Sequence, residues 1–196
     1  MFYLVHLFIA LSLLFSAAVS AEPCGNHEEA RKLAKLIMED DFQNRNEIRC
    51  NQILSDVAAQ KAKDMAEFGM VTHNLKGSPN GRLEEAGFKL PHYYGRNFNS
   101  NQVEAIAGGY TDAEDVWDAF KKSTGHRMHL LGEHEFYVEQ DEIGIGFYRE
   151  WETPHVEYWV VFLTKGASKN QSKIPKYKSI PNKTNLMMVE GEEEKN

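Results

Sequence analysis

The amino-acid sequence predicts a single α+β domain with sandwich-like layering, and three observations predict it. Apolar residues recur at helical spacing through most of the first half of the chain. Near the end, Ile143, Ile145 and Phe147 alternate with Gly144, Gly146 and Tyr148, which reads as a strand whose glycine side lets another element approach closely. Residues 158–163 (YWVVFL) are apolar on both faces, and a strand buried on both sides belongs in the middle of a layered structure. The link 150–157 contains Pro154 and reads as a hairpin, so these two strands are expected to be antiparallel.

The elements follow in order. Residues 4–18 are almost wholly apolar and lead to small residues at Val19 and Ala21, which fits a signal peptide cut after Ala21. The run falls short of the roughly 20 residues that a membrane span needs. No Lys or Arg precedes it, so an uncleaved anchor is the alternative, whereas the absence of a following cysteine speaks against a lipoprotein. Residues 26–42 read as a first helix, with Ala30, Leu33, Ala34, Ile37 and Met38 on one face and Glu28 and Glu29 in the opening turn. After a polar loop at 43–49, Asn51 is placed to cap a second helix that runs to Gly69. Its Ala58, Ala59 and Ala62 imply close packing against a neighbour. Residues 77–81 are turn formers, and a short helix at 82–86 with Gly87 as its stop is followed by loop at 89–102. Thr111 or Asp112 then caps a helix with Val116, Trp117 and Phe120 facing inward. From about Ala167 the apolar pattern stops, and the Lys- and Glu-rich remainder reads as a disordered charged tail. The tail carries two glycosylation sequons, at Asn170 and Asn182.

The chain is acidic, with net charge −7 and pI near 5.6, and no basic stripe precedes the tail, so nucleic acid is a poor partner. Its two cysteines, Cys24 and Cys50, suggest one disulfide in an exported protein. The bridge would close a loop of about 27 residues and contribute on the order of 3 kcal/mol.

Chemistry concentrates in residues 103–132. Glu104 lies between apolar Val103 and Ile106, where it must either reach solvent or find a partner. His126 and His129 stand three apart in GHRMHLLG, a spacing that suits two ligands on one helical face and equally one site residue beside one packing residue. His73 lies on an irregular connection after the second helix, where a lone histidine is a site residue or a structural one.

Leu54, Ala58, Ala62 and Met65, then GMVTHN at 69–74, VEAIAGG at 103–109, STGHRMHLLG at 123–132 and IGIG at 143–146 stand in a telling order. Together they resemble the sperm-coating-protein, or CAP, superfamily, which includes the cysteine-rich secretory and pathogenesis-related proteins. The likeness covers residues 28–166 and looks closest to the shorter bacterial branch, which lacks the extra disulfides of animal members. It implies an α–β–α sandwich with a central antiparallel sheet, a domain over 22–166, and a cleft lined by His73, Glu104 and His126. The Gly and Asn that flank the family's glutamate are replaced here by Val103 and Ala105. The family's second acid has no match, since Ser123 falls at its position and Phe120 at that of its tryptophan. His129 is an extra candidate for the gap.

The resemblance makes a secreted binding module the leading expectation. Its metal ligands would be His73 and His126, with Glu104 orienting a ligand or water. Two imidazoles, a carboxylate and open positions suit Zn²⁺ or another divalent cation. The expected partner is a small molecule, a lipid or sterol, or a secreted or cell-envelope protein, with no membrane span after cleavage. The rival is a metal-assisted hydrolase of peptides, esters or cell-wall material, with Glu104 as general base. A variant of it has Ser123 activated by His126, with Glu104 orienting the imidazole. A third reading makes the histidines purely structural, locking the layers together.

Overall fold

The structure, a computed structural model, describes residues 24–167. The predicted signal peptide at 1–21, both sequons and nearly all of the charged tail lie outside the described residues. Among the described residues five helices and four strands make an α+β fold. Among the described residues no helix is long and apolar enough to cross a membrane.

Helix α1 spans Glu28–Met38, with the His27 ring accepting from the Glu29 N–H at its start. It ends four residues before the expected boundary. Asp40 takes the Phe42 N–H on its own side chain at 3.0 Å, turning the chain away and leaving Phe42 76% exposed. Strand β1 is only Arg49–Cys50. Helix α2 spans Gln52–Phe68, capped by the Asn51 side chain and stopped by Gly69 at φ 64°, both as the sequence suggests. Helix α3 begins three residues earlier than expected, at Pro79–Glu85. Ser78 is its N-cap and Pro79 its first residue, a start signal that reads as a turn when taken alone.

Strand β2, Glu104–Gly108, is not visible in the sequence as a strand. Its EAIAG run lacks alternation and has one β-branched residue, Ile106, and pairing with the last strand completes it. Helix α4, Ala113–Lys122, is capped by Asp112, and α5 follows at Thr124–Leu130. Strands β3, Glu142–Arg149, and β4, Glu157–Thr164, form the expected antiparallel hairpin.

The sheet order is β1-β3-β4-β2, which puts the doubly apolar β4 inside. The sheet is mixed rather than wholly antiparallel, because β1 pairs with β3 in parallel. The residue order forces this: the 49–50 segment is delivered by the disulfide loop, and no hairpin ties it to β3. Cys24 and Cys50 are bridged. The bond ties the chain ahead of α1 to β1, and through β1 to β3, since the Ile145 N–H donates to the Cys24 carbonyl at 2.8 Å. It therefore anchors both helix starts to the sheet rather than one helix to the other.

Each face of the sheet carries its own core. Ile143, Ile145, Phe147, Trp159, Val161 and Leu163 face α1 and α4. Tyr158, Val160, Phe162 and Ile106 face α2. On that second face the strand brings no side chain at two points. A Cβ on Gly144 would stand 2.2 Å from the Ser55 nitrogen, and one on Gly146 would stand 2.1 Å from the Ala58 carbonyl carbon. Helix α2 thus rests on strand backbone, as its small residues imply.

Candidate functional site

Edge strand β2 and the connection after α2 meet in a buried polar pair, His73 and Glu104, and helix α5 carries the other two candidate histidines. Glu104 opens β2 opposite Phe162 and points to the α2 side, fully buried. His73 is 8% exposed, and its Nδ1 lies 2.8 Å from Glu104 Oε1. An ionised Glu104 could only accept here, from a proton on His73 Nδ1, the nitrogen that Asn101 Nδ2 also approaches at 3.1 Å. The other ring nitrogen is Nε2. It is buried and has no partner, and so are Glu104 Oε2 and His126 Nε2.

Asn101 holds the glutamate in place. Its Oδ1 accepts from the Glu104 N–H at 2.9 Å and the Val103 N–H at 3.2 Å, which fixes the amide orientation. Its nitrogen then donates to the Glu104 carbonyl at 3.1 Å and stands 3.1 Å from His73 Nδ1. This side chain supplies the backbone support that Val103 and Ala105 cannot. No motif in the sequence points to Asn101, because it lies in an Asn-rich loop without period.

Lys61 is the second residue that sequence reasoning missed. Its side chain is completely buried, and its ammonium donates to the carbonyls of Thr72 at 2.7 Å and His73 at 3.0 Å. Burial pulls its pKa below the ordinary lysine value, while the charge on Glu104 pushes it back up. A signal was present, since Lys61 follows Ala58 by three residues and precedes Met65 by four, on the apolar stripe of α2. The connection beyond His73 is clamped by Asp64, whose carboxylate takes Lys76 and Arg82 at 2.9 Å each. Burial works against that charge, but the bonds from Lys76, Gln60 and Arg82 outweigh it and hold Asp64 below the usual carboxylate range.

Helix α5 brings its two histidines to different ends. The His126 ring lies 4.9 Å from that of Phe120, with Nδ1 3.0 Å from Ser123 Oγ. Burial, reinforced by the nearby His73, pushes its pKa down to about 4, so it is neutral near pH 7. His129 donates Nε2–H to the Leu163 carbonyl at 2.9 Å and its ring packs 4.8 Å from Tyr137. Burial drives it down to about 3. His129 is tied to β4 and does not join the pair of His73 and Glu104.

The serine-relay variant does not fit this geometry. In a Ser–His–carboxylate relay the acid holds Nδ1 and the serine faces Nε2. Here Ser123 takes Nδ1 of His126, and Glu104 is engaged with His73. Ser123 is the C-cap of α4, its N–H donating to the Ala119 carbonyl, and the N-cap of α5 without a side-chain cap bond.

Among the described residues no group of three or more His, Cys, Asp or Glu side chains is placed to hold a metal ion. The expected metal set is therefore two imidazoles, fewer than the three or four protein ligands of a typical zinc site. What the pair does show is one imidazole hydrogen-bonded to a carboxylate, the arrangement that commonly stands behind a metal-binding histidine.

No family model matches the chain, and no curated protein matches it. Among solved structures it is similar to an outer surface protein from Borrelia burgdorferi, at 22% identity and a TM-score of 0.49. The likeness covers 72% of this chain and 98% of that one. At that level it assigns neither fold family nor function.

Proposed function

We propose that the chain is an exported binding module of the CAP kind, an α–β–α sandwich whose His73–Glu104–His126 cluster takes a divalent cation or a small polar ligand. One observation carries this reading: His73 Nε2, His126 Nε2 and Glu104 Oε2 are buried without partners, although nearly all buried polar atoms in proteins have one. Two imidazole lone pairs suit a borderline cation such as Zn²⁺, with Glu104 fixing the tautomer of His73. With only two protein ligands, the ion would need further ligands from water or from a bound molecule, so exchangeable binding is expected rather than a closed structural site. The CAP motifs and the apolar leader support the family and the export route. Binding is favoured over hydrolysis because Glu104, the general base of the hydrolase reading, has its Oε1 engaged by His73 at 2.8 Å.

Zinc titration of the purified protein by calorimetry tests this. Saturable binding is expected, lost in both His73→Ala and His126→Ala. Binding that both variants retain sinks the metal reading.

Complete burial of Glu104 and His126 favours a second reading, in which the cluster only ties β2, α5 and the post-α2 connection together. In that case no ligand shifts the melting temperature, while both alanine variants lower it.

A further inference from the structure

We infer that Lys61 is the positioning residue of this site: its buried ammonium fixes the His73 backbone so that the imidazole meets Glu104 through Nδ1 and presents Nε2. The inference rests on the binding role proposed for His73. Its own grounds are the placement of Lys61. A lysine is almost never fully buried unless paired, and an apolar residue would pack this stripe of α2 at lower cost. Lys61 is nonetheless sealed among Ala58, Ala62 and Met65, and both of its bonds go to consecutive carbonyls, of Thr72 and of the site histidine itself.

The connection it grips has no regular structure between Gly69 and α3, so no helix or strand ladder sets the direction of His73. Other holds on that segment grip side chains or residues beyond His73: Asn74 Nδ2 donates to Asn99 Oδ1 at 3.0 Å. Asp64 clamps Lys76 and Arg82, and Arg82 Nη2 donates to the Leu75 carbonyl at 2.7 Å. Only Lys61 among these grips the backbone of residue 73. A side chain that merely filled space would not need a charge, and one that merely satisfied carbonyls would not need to reach the site residue.

The histidine tautomer reports the position of the ring without any metal. In the purified chain, labelled with ¹⁵N-histidine and examined by long-range ¹H–¹⁵N correlation NMR, His73 is expected in the Nδ1–H form. A solvent-exposed neutral histidine side chain prefers the other tautomer. In Lys61→Met the Nδ1–H to Nε2–H ratio is expected to fall about tenfold, the loss of roughly one hydrogen bond. Zinc affinity is expected to fall with it. If Lys61→Met does not fold, Lys61→Gln carries the same comparison.

A wild-type His73 in the Nε2–H form overturns the inference. So does a folded variant with a lowered melting temperature and an unchanged tautomer, which would make Lys61 structural only. A wild type that binds no zinc but whose tautomer moves in Lys61→Met keeps the positioning role and removes the metal reading. Zinc binding with an unmoved tautomer does the reverse.

Discussion

The two faces of the sheet are held by different means. On the α1 side, contact is made by large side chains: Trp159, Phe147 and Ile145 from the strands meet Leu33, Ile37 and Phe120 from the helices. On the α2 side, β3 contributes only backbone at Gly144 and Gly146, and the helix answers with Ala58 and Ala59. Interdigitated side chains can shift rotamers when one of them changes. Backbone resting on backbone cannot. The lesson concerns the site, because α2 is also the helix that carries Lys61 under His73 and delivers the chain to it. The rigid face of the domain is the one that aims the histidine.

The largest effect should come from putting a Cβ between those two backbones. Gly146→Ala would place it 2.1 Å from the carbonyl carbon and oxygen of Ala58, so the helix or the strand must move. A loss of about 3 kcal/mol or more is expected, at the upper end for overpacking, and is read from the urea midpoint. Ile145→Val, one residue away on the side-chain face, should cost only about 1 kcal/mol. Equal costs for the two substitutions would break the distinction between the faces.

A smaller effect is expected from acid, and it probes the seam that α5 forms between the faces. His126 and His129 are pushed down to about 4 and about 3, in both cases mainly by burial. Nearby His73 adds to the shift at His126. At His129, Arg45 and His126 add to it, while the Leu163 carbonyl opposes it. In the unfolded chain both titrate near the ordinary imidazole value of 6.5. Between 6.5 and those folded values the unfolded state binds protons that the native state refuses, so stability falls as pH falls. This contribution is whole above pH 6.5 and declines steadily below it. The melting temperature, measured with a chelator present, should therefore drop from about pH 7 to 5, and His129→Gln should flatten the slope. A melting temperature that holds or rises on acidification would show that these rings are less buried than they look.

Much of this architecture was legible in the sequence because its causes are local. Asn51 and Gly69 bound α2 through a cap bond and a left-handed residue, and neither depends on the rest of the fold. The alternation of Ile143 to Phe147 and the apolar run of β4 declare strands wherever they are placed. Strand β2 was invisible because Ile106 is its one strand-favouring residue, and pairing with Val160 and Val161 supplies the rest. The parallel pairing of β1 is equally non-local. For the site, residue type led to His73, Glu104 and His126, but not to the two side chains that hold them. Lys61 is read as solvent-facing by default, and Asn101 is one polar residue among several. What separates His129 from His126 is also tertiary: a carbonyl of β4 happens to lie above one ring and not the other.

The smallest effect is expected at Ser123, and it bears on both the site and the comparison of the faces. Its hydroxyl sits on the α4–α5 junction, partly open to solvent, and its one side-chain bond goes to His126 Nδ1. Removing one hydrogen bond at a position that water can reach should cost about 1 kcal/mol or less. Because His126 is also held by the Phe120 ring, it should keep its place, and Ser123→Ala should bind zinc within about threefold of the wild type. A loss of binding as deep as that of His126→Ala would mean that the serine, and not the apolar wall, sets the imidazole. The seam between the two faces would then depend on a single hydroxyl, and the rigidity of α2 would no longer be enough to define the site.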